Sequence, residues 1–225
     1  MDKDNAGNDP TFILKQILQL GINGGAGLSS ATELADRYLS NPVYKTKMER
    51  IDALVKWEER KNFTSGFLTS LGGIVTLPIS IPAALGANWI LQTRMVAAMA
   101  HIGGFDINDP PVRMSIALCL LGKKGKEILN QNVEDVETYI KRRGLTSIPA
   151  RTLSIANQAI ANRLMQIAAQ KGLTRVSKAI PILGGVIGGA LDFQSCRETA
   201  EFAMELFQFH LGIELKHPFP NDDPQ

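Results

Sequence analysis

The sequence is poor in the residues that cross-link or ligate small folds. It has two cysteines and three histidines among 225 residues. A chain of this length buries roughly 70% of its unfolded surface and needs no disulfide or metal to fold. Cys119 and Cys196 both lie in apolar helical patterns, where a free thiol behaves as a small hydrophobic group. We therefore expect free thiols, no cofactor, no metal site and a cytoplasmic location.

The sequence also lacks the common catalytic motifs. Gly122-Lys123 has neither the preceding glycine spacing nor the following Ser or Thr of a phosphate loop. The glycines of residues 24–27 lack the strand–helix context of a dinucleotide site. No nucleophile elbow or zinc-protease histidine pair occurs. An enzyme is therefore the less favoured class.

Charge is scarce and unevenly distributed. The 32 residues 62–93 carry no charged side chain, whereas residues 123–191 carry eleven positive and four negative charges. Residues 192–225 carry two positive and seven negative charges. A net charge of +2 gives no reason to expect nucleic acid as a partner. The basic stretch either pairs internally with the acidic C-terminal part or forms a basic surface.

Helix start and stop signals recur along the chain. Ser30 and Glu33 have capping-box spacing, and Asn41-Pro42 and Asp109-Pro110 combine a cap with proline in the first turn. Alternation typical of strands is rare. The sequence predicts an all-α multi-helix bundle with a flexible polar segment over 1–28, one helical domain over 29–212 and a tail over 213–225.

The charge-free run predicts a central apolar helical hairpin. Pro78 and Pro82 break it into two helices of about 15 residues, roughly 22 Å each, shorter than a hydrocarbon core of roughly 30 Å. A second apolar stretch, 179–191, contains glycines with small-xxx-small spacing, which allows a close helix contact with the hairpin. The hairpin is either buried in the fold, inserted shallowly into a bilayer, or, least simply, a permanent span.

If the hairpin meets lipid, its large apolar side chains provide the contact. These candidates are Phe67, Leu68, Leu71, Ile74, Leu77, Ile79, Ile81 and Trp89.

Polar residues at the edges of the apolar segments are candidates for a binding site. Buried charges are costly unless they are paired, so each of these groups needs a partner within the fold or a ligand. The candidates are Asn88, Arg94, His101, Asp192 and Arg197. The alternatives are satisfied core contacts, a ligand or lipid-headgroup site, or a catalytic centre.

The two apolar regions share a weak internal echo. Five small or basic residues recur at a constant offset of 103: Gly86, Ala87, Arg94, Ala97 and Ala100 match Gly189, Ala190, Arg197, Ala200 and Ala203. The echo is compatible with a structural repeat or with chance in an alanine-rich chain.

The block from Gly66 to Gly73, with Pro78 and the sequence 92–94, resembles the EcsC-like protein family. The segments 103–106 and 180–192 are similar to its other hallmarks, and the resemblance covers roughly 45 to 210. It implies a helical fold and association with the membrane rather than an enzyme. The resemblance leads us to expect Asp at position 88, where this chain has Asn, so an acid-dependent role is not expected there.

Three hypotheses follow. The first is a non-catalytic protein, cytoplasmic or peripheral to the membrane, that binds lipid or a membrane protein, such as a transporter, through the apolar helices. The second is a soluble interaction module, with homo-oligomers allowed, whose apolar helices are buried. The third is a small-ligand protein or enzyme that uses the region of Arg94 and Asp192.

Overall fold

The computed structural model describes residues 10–25, 27–63, 83–134, 138, 148–173 and 194–207. Side chains are described over 10–25, 27–60, 88–134, 138, 148–166 and 194–207. The helices are α1 (Pro10–Asn23), α2 (Ala31–Leu39), α3 (Lys47–Phe63), α4 (Ala83–Gly103), α5 (Pro110–Cys119), α6 (Lys123–Asn132), α7 (Ala150–Leu173) and α8, the helical residues 194–207. Across these ranges the only strand pairing is one isolated bridge, between Gly25 and Leu28. The predicted all-α multi-helix bundle is confirmed, whereas the predicted first hairpin helix lies largely outside the described residues.

Helix α4 forms the centre of the bundle. Helices α1, α2, α3 and α5 pack directly against it. All twelve side chains from Trp89 to Ala100 are buried. A helix that is apolar on every side is typical of the core of a multi-layer bundle. Gly104 ends α4 with a φ of 98°, and Phe105 N–H donates to the Ala100 carbonyl oxygen, as expected for a glycine-terminated helix.

Two helices start where their capping signals predict. Ser30 Oγ accepts from the Glu33 amide at 3.1 Å, and the Glu33 carboxylate accepts from the Ser30 amide at 3.0 Å, which completes the capping box of α2. Asp109 is the N-cap of α5 and proline occupies the first turn, although the Asp109 side chain makes no capping hydrogen bond. The local signals at both positions agree with the tertiary packing.

Helix α3 begins later than predicted. The Asn41-Pro42 start is wrong: Asn41 Oδ1 accepts from the Val43 amide at 3.0 Å and stabilises a turn instead. A second capping box provides the true start, because Thr46 Oγ1 accepts from the Glu49 amide at 3.1 Å and Glu49 accepts from the Thr46 amide at 3.3 Å. The reciprocal bonds of Thr46 and Glu49 satisfy two backbone amides at the start of α3, whereas the Asn41 side chain bonds within the preceding turn.

Helix α1 extends the core beyond the domain boundary predicted near residue 29. Ile17 and Ile22 are buried against the bundle, and α1 continues through Gly21 to Asn23. A Cβ at Gly21 would lie 2.5 Å from the Thr93 side chain and 2.9 Å from the Ile90 carbonyl oxygen. Gly21 is therefore a close-packing position between α1 and α4, not the end of the helix.

Helix α8 runs parallel to α4. Its first described turn meets Gln92, with the Gln92 amide nitrogen 3.3 Å from Ser195 Oγ. Its last described residue, Phe207, contacts Phe105 with ring centroids 5.1 Å apart and the ring planes tilted by 60°. Gln92 and Ser195 are 103 positions apart, the offset of the sequence echo. The starts of α3 and α7 are separated by the same number of positions. The echo thus extends to the arrangement of the helices.

Candidate functional site

The residues that flank the two charge-free segments meet at one end of the bundle. Helix α3 is antiparallel to α4, because Lys47 Nζ donates to the Gly103 carbonyl at 2.8 Å and Glu58 pairs with Arg94. The end of α3 and the start of α4 therefore lie toward the same end, and the first described turn of α8 lies beside Gln92, near the middle of α4. Residues 64–82 connect α3 to α4, and residues 179–191 precede the described part of α8.

At the middle of α4, Arg94 forms a buried ion pair with Glu58 of α3. Arg94 Nη2 lies 3.3 Å from Glu58 Oε2, and the two side chains are only 6% and 2% exposed. Arg94 Nη1 also donates to Ser29 Oγ at 3.3 Å, whereas its Nε is buried without a hydrogen-bond partner. This pair fixes α3 against α4 and the α1–α2 loop. Arg94 thus makes internal contacts, one of the alternatives left open by its sequence position.

The next residue of α3, Glu59, faces α8. Glu59 is buried and its Oε1 has no hydrogen-bond partner. Burial raises the pKa of this carboxyl, Arg197 counteracts the rise, and the nearby Glu201 adds to it. Arg197 Nε in turn donates to Glu201 Oε1 at 3.1 Å. Two consecutive glutamates of α3 thus interact with two arginines, Glu58 with Arg94 and Glu59 with Arg197. These two arginines are the pair related by the offset of 103 positions.

A buried amide, Gln92, joins α4 to α8. Its Nε2 donates to Asn88 Oδ1 at 3.1 Å and to Ser195 Oγ at 3.3 Å, and its Oε1 accepts from Thr199 Oγ1 at 3.3 Å. Gln92 is completely buried. Sequence reasoning did not select it, although an amide within an otherwise apolar run, aligned with the echo, was the available signal. The network fixes the register of the two parallel helices.

A cavity of about 600 Å³ lies beside this network, between α4, the α5–α6 turn, α7 and α8. Trp89 and two leucines provide apolar walls. Three amides and three charged groups complete the lining: Asn162, Gln166, Gln194, Lys124, Arg163 and Glu198. Such a lining provides many hydrogen-bonding groups around one indole, which suits a small polar ligand more than an acyl chain.

The described residues do not form the single polar site that the sequence suggested. Asn88 bonds to Gln92 on the side of α4 that faces α8, whereas Arg94 faces α3. His101 Nε2 lies 3.8 Å from Asp36 Oδ1 of α2, near the opposite end of α4. Six residues along a helix correspond to about 240° of rotation, so Asn88 and Arg94 do not share a face. Asp192 lies outside the described residues, and Arg197 stands apart with Glu59 and Glu201.

Two tryptophans occupy opposite environments. Trp89, one of the predicted lipid-contacting residues, is 5% exposed and lines the cavity, so its side chain offers little surface to lipid. Its position in the buried stretch of α4 explains the difference. Trp57 on α3 is 52% exposed. The remaining predicted contacts lie outside the described residues: Phe67, Leu68, Leu71, Ile74, Leu77, Ile79 and Ile81.

The lysines at the start of the basic stretch pair internally. Lys123 Nζ lies 3.2 Å from Glu198, and Lys126 Nζ lies 2.7 Å from Glu205, both on α8. A third lysine, Lys124, pairs within α6 with Glu127 at 3.0 Å. Of the two interpretations of the uneven charge, pairing with the acidic C-terminal part describes Lys123 and Lys126.

The protein is of the all-α class, and within it a charged helix (α3), a charge-free stretch (64–82) and an alanine-rich helix (α4) follow one another along the chain. A family model described as the EcsC protein family matches residues 14–211, and the chain belongs to this family. No match is found among curated proteins or among solved structures. None of the helices in the described ranges is long and apolar enough to cross a bilayer.

Proposed function

We propose that this protein associates peripherally with membranes through the end of the bundle at which its two charge-free segments are attached. The observation that supports the proposal is the convergence of their flanking residues. The Glu58–Arg94 pair and the Gln92–Ser195 bond hold the last turns of α3 and the first described turn of α8 against the middle of α4, so both segments are attached toward the same end of α4. Two apolar segments attached side by side can enter the same patch of lipid.

The sequence of the segments supports the same proposal. Residues 64–82 and 179–191 contain no charge, so neither introduces the cost of placing an ion in hydrocarbon. The second segment is too short to span a bilayer by itself, as spanning needs about 20 apolar residues. Contact with one leaflet requires less length. The association is therefore shallow. It does not require the positive charges of Lys123 and Lys126, which are neutralised by glutamates of α8.

Flotation with vesicles tests the proposal. Protein purified without detergent is expected to float with phosphatidylcholine vesicles, and Leu71→Asp is expected to abolish flotation because a carboxylate resists transfer into hydrocarbon. Phe12→Asp is the matched control, because Phe12 is an apolar residue of α1 that is 38% exposed and lies outside both charge-free segments. Flotation of the control at the wild-type level is expected.

A second probe covers the case in which Leu71→Asp fails to fold. A Leu71→Cys variant can be labelled with an environment-sensitive fluorophore, because Cys119 and Cys196 are buried in the native protein. The fluorophore is expected to brighten when vesicles are added. A monodisperse wild-type protein that neither floats nor brightens this label would contradict membrane association and favour the soluble interaction module.

The cavity beside Gln92 supports a second candidate function, the binding of a small polar ligand. Its indole wall and six hydrogen-bonding or charged side chains favour such a ligand. Native mass spectrometry of the protein as purified tests this candidate. A bound mass that is lost in the Trp89→Ala, Gln194→Ala variant would support it, whereas the bare mass of the chain in every preparation would count against it.

A further inference from the structure

Helices α2 and α3 and the turn between them form a surface pocket of about 280 Å³ outside the core. It is lined by two tyrosines, one tryptophan, one alanine and two basic residues: Tyr38, Tyr44, Ala53, Lys56, Trp57 and Arg60. The rings of Tyr38 and Tyr44 lie 6.1 Å apart and form one wall. Trp57, Lys56 and Arg60 are exposed on α3.

We propose that this aromatic–basic pocket binds the phosphate headgroup of an anionic phospholipid and anchors the bundle at the membrane interface. The inference rests on the proposed membrane association and names the lipid class. Tryptophan and tyrosine are the residues that favour the headgroup level of a bilayer, and lysine and arginine are attracted by anionic lipid. A second copy of the chain or an acidic protein would need a wider exposed surface than this pocket offers.

The position of the pocket along α3 agrees with this role. Trp57 lies six residues before Phe63, after which the charge-free segment begins, so the two are about 9 Å apart along the helix axis. Arg60 is about one turn from that point. When the apolar segment lies in the acyl region of one leaflet, side chains at this distance reach the headgroup layer.

The pocket combines two basic side chains, Lys56 and Arg60, with the phenol of Tyr38. Lys56 lies close enough to Asp52 and Glu59 to lower the pKa of both carboxyls, but burial outweighs it and the pKa of each is raised overall. Tyr38 retains its proton throughout the physiological range, since burial and the charge of Glu58 raise its pKa to about 12. A protonated phenol donates a hydrogen bond to a phosphate oxygen. The basic residues then supply the charge and Tyr38 a neutral donor.

The two tryptophans allow a direct test on the full chain. In a Trp89→Phe background, Trp57 is the only source of indole emission. Its emission is expected to shift to shorter wavelength with phosphatidylcholine vesicles that contain phosphatidylglycerol, and to shift much less with phosphatidylcholine alone. Inorganic phosphate is expected to leave the emission unchanged. A full shift with inorganic phosphate would overturn the lipid assignment in favour of a soluble phosphate site.

Removal of the two positive charges of the pocket gives a quantitative test of vesicle binding. Each basic side chain near an anionic surface contributes about a fivefold factor in binding, so Lys56→Gln with Arg60→Gln is expected to weaken partitioning about 30-fold. The control, Lys15→Gln with Arg151→Gln, removes the same charge from exposed positions on α1 and α7 and is expected to change partitioning less than about threefold. Circular dichroism confirms that both variants are folded.

The outcomes separate this inference from the proposed function. Flotation without a Trp57 shift, or equal losses in both double variants, would overturn the headgroup pocket and leave membrane association standing. Failure of the wild-type protein to float with any vesicle would overturn both. A shift that depends on phosphatidylglycerol and on Lys56 and Arg60 supports the pocket.

Discussion

The buried Arg94–Glu58 pair permits a prediction with a definite magnitude. Glu58→Met leaves the Arg94 guanidinium buried with its charge uncompensated, and removal of one partner from a buried pair costs about 3–5 kcal/mol. For a domain of this size, that loss lowers the melting temperature by about 10 °C. The remaining 3.3 Å bond to Ser29 is too weak to replace the ionic partner.

The double variant Glu58→Met, Arg94→Met is expected to recover most of this loss. Two apolar side chains of similar volume remove both desolvation costs, and such replacements of buried pairs are often neutral or stabilising. The unpartnered Arg94 Nε strengthens this expectation, because the native pair does not satisfy every donor. We expect the double variant to lie within about 1 kcal/mol of the wild-type free energy of unfolding.

Urea unfolding followed by far-UV circular dichroism measures all three proteins, and the slope against denaturant shows whether unfolding remains cooperative. Glu127→Gln is the control: its partner is Lys124 at 3.0 Å, both side chains are more than half exposed, and an effect below about 0.5 kcal/mol is expected. A loss below about 1 kcal/mol for Glu58→Met would refute the reasoning, as would a double variant less stable than either single variant.

Three further results are expected. Gly21→Ala destabilises the fold by about 1–3 kcal/mol in urea unfolding, because the new methyl group overlaps the Thr93 side chain; an unchanged midpoint would contradict the close packing. The native pKa of Glu59 lies above its unfolded value, so folding stability falls as the pH rises from the unfolded pKa through the native one, and Glu59→Gln removes this dependence; parallel stability–pH curves would contradict it. Burial raises the pKa of the Cys119 thiol, and both Cys119 and Cys196 are expected to resist a thiol reagent until urea unfolds the protein; rapid native labelling would contradict their burial.

The parts of the fold that could be read from the sequence are those set by local interactions. The capping box at Ser30 and Glu33 depends on residues within a few positions of each other, and it occurs as predicted. The start of α3 was misplaced because two cap signals compete within six residues. Only the reciprocal bonds of Thr46 and Glu49 show which of them caps the helix.

The candidate site was less predictable because it depends on which helices meet. Arg94 was correctly identified as a polar residue that needs a partner, but the identity of Glu58 depends on the antiparallel packing of α3. Gln92 reads as one more polar residue in an apolar run until α8 places Ser195 and Thr199 beside it. Trp57 is exposed and Trp89 is buried, and the residue type alone does not predict this difference.

The enclosed position of α4 limits how far the internal repetition can make the protein modular. The order of elements recurs with an offset of 103, which invites the idea of two independent halves. However, α4 is covered by α1, α2, α3 and α5 and bonded to α8, so it draws its neighbours from both halves of the chain. A fragment cut between α6 and α7 would leave one flank of α4 bare.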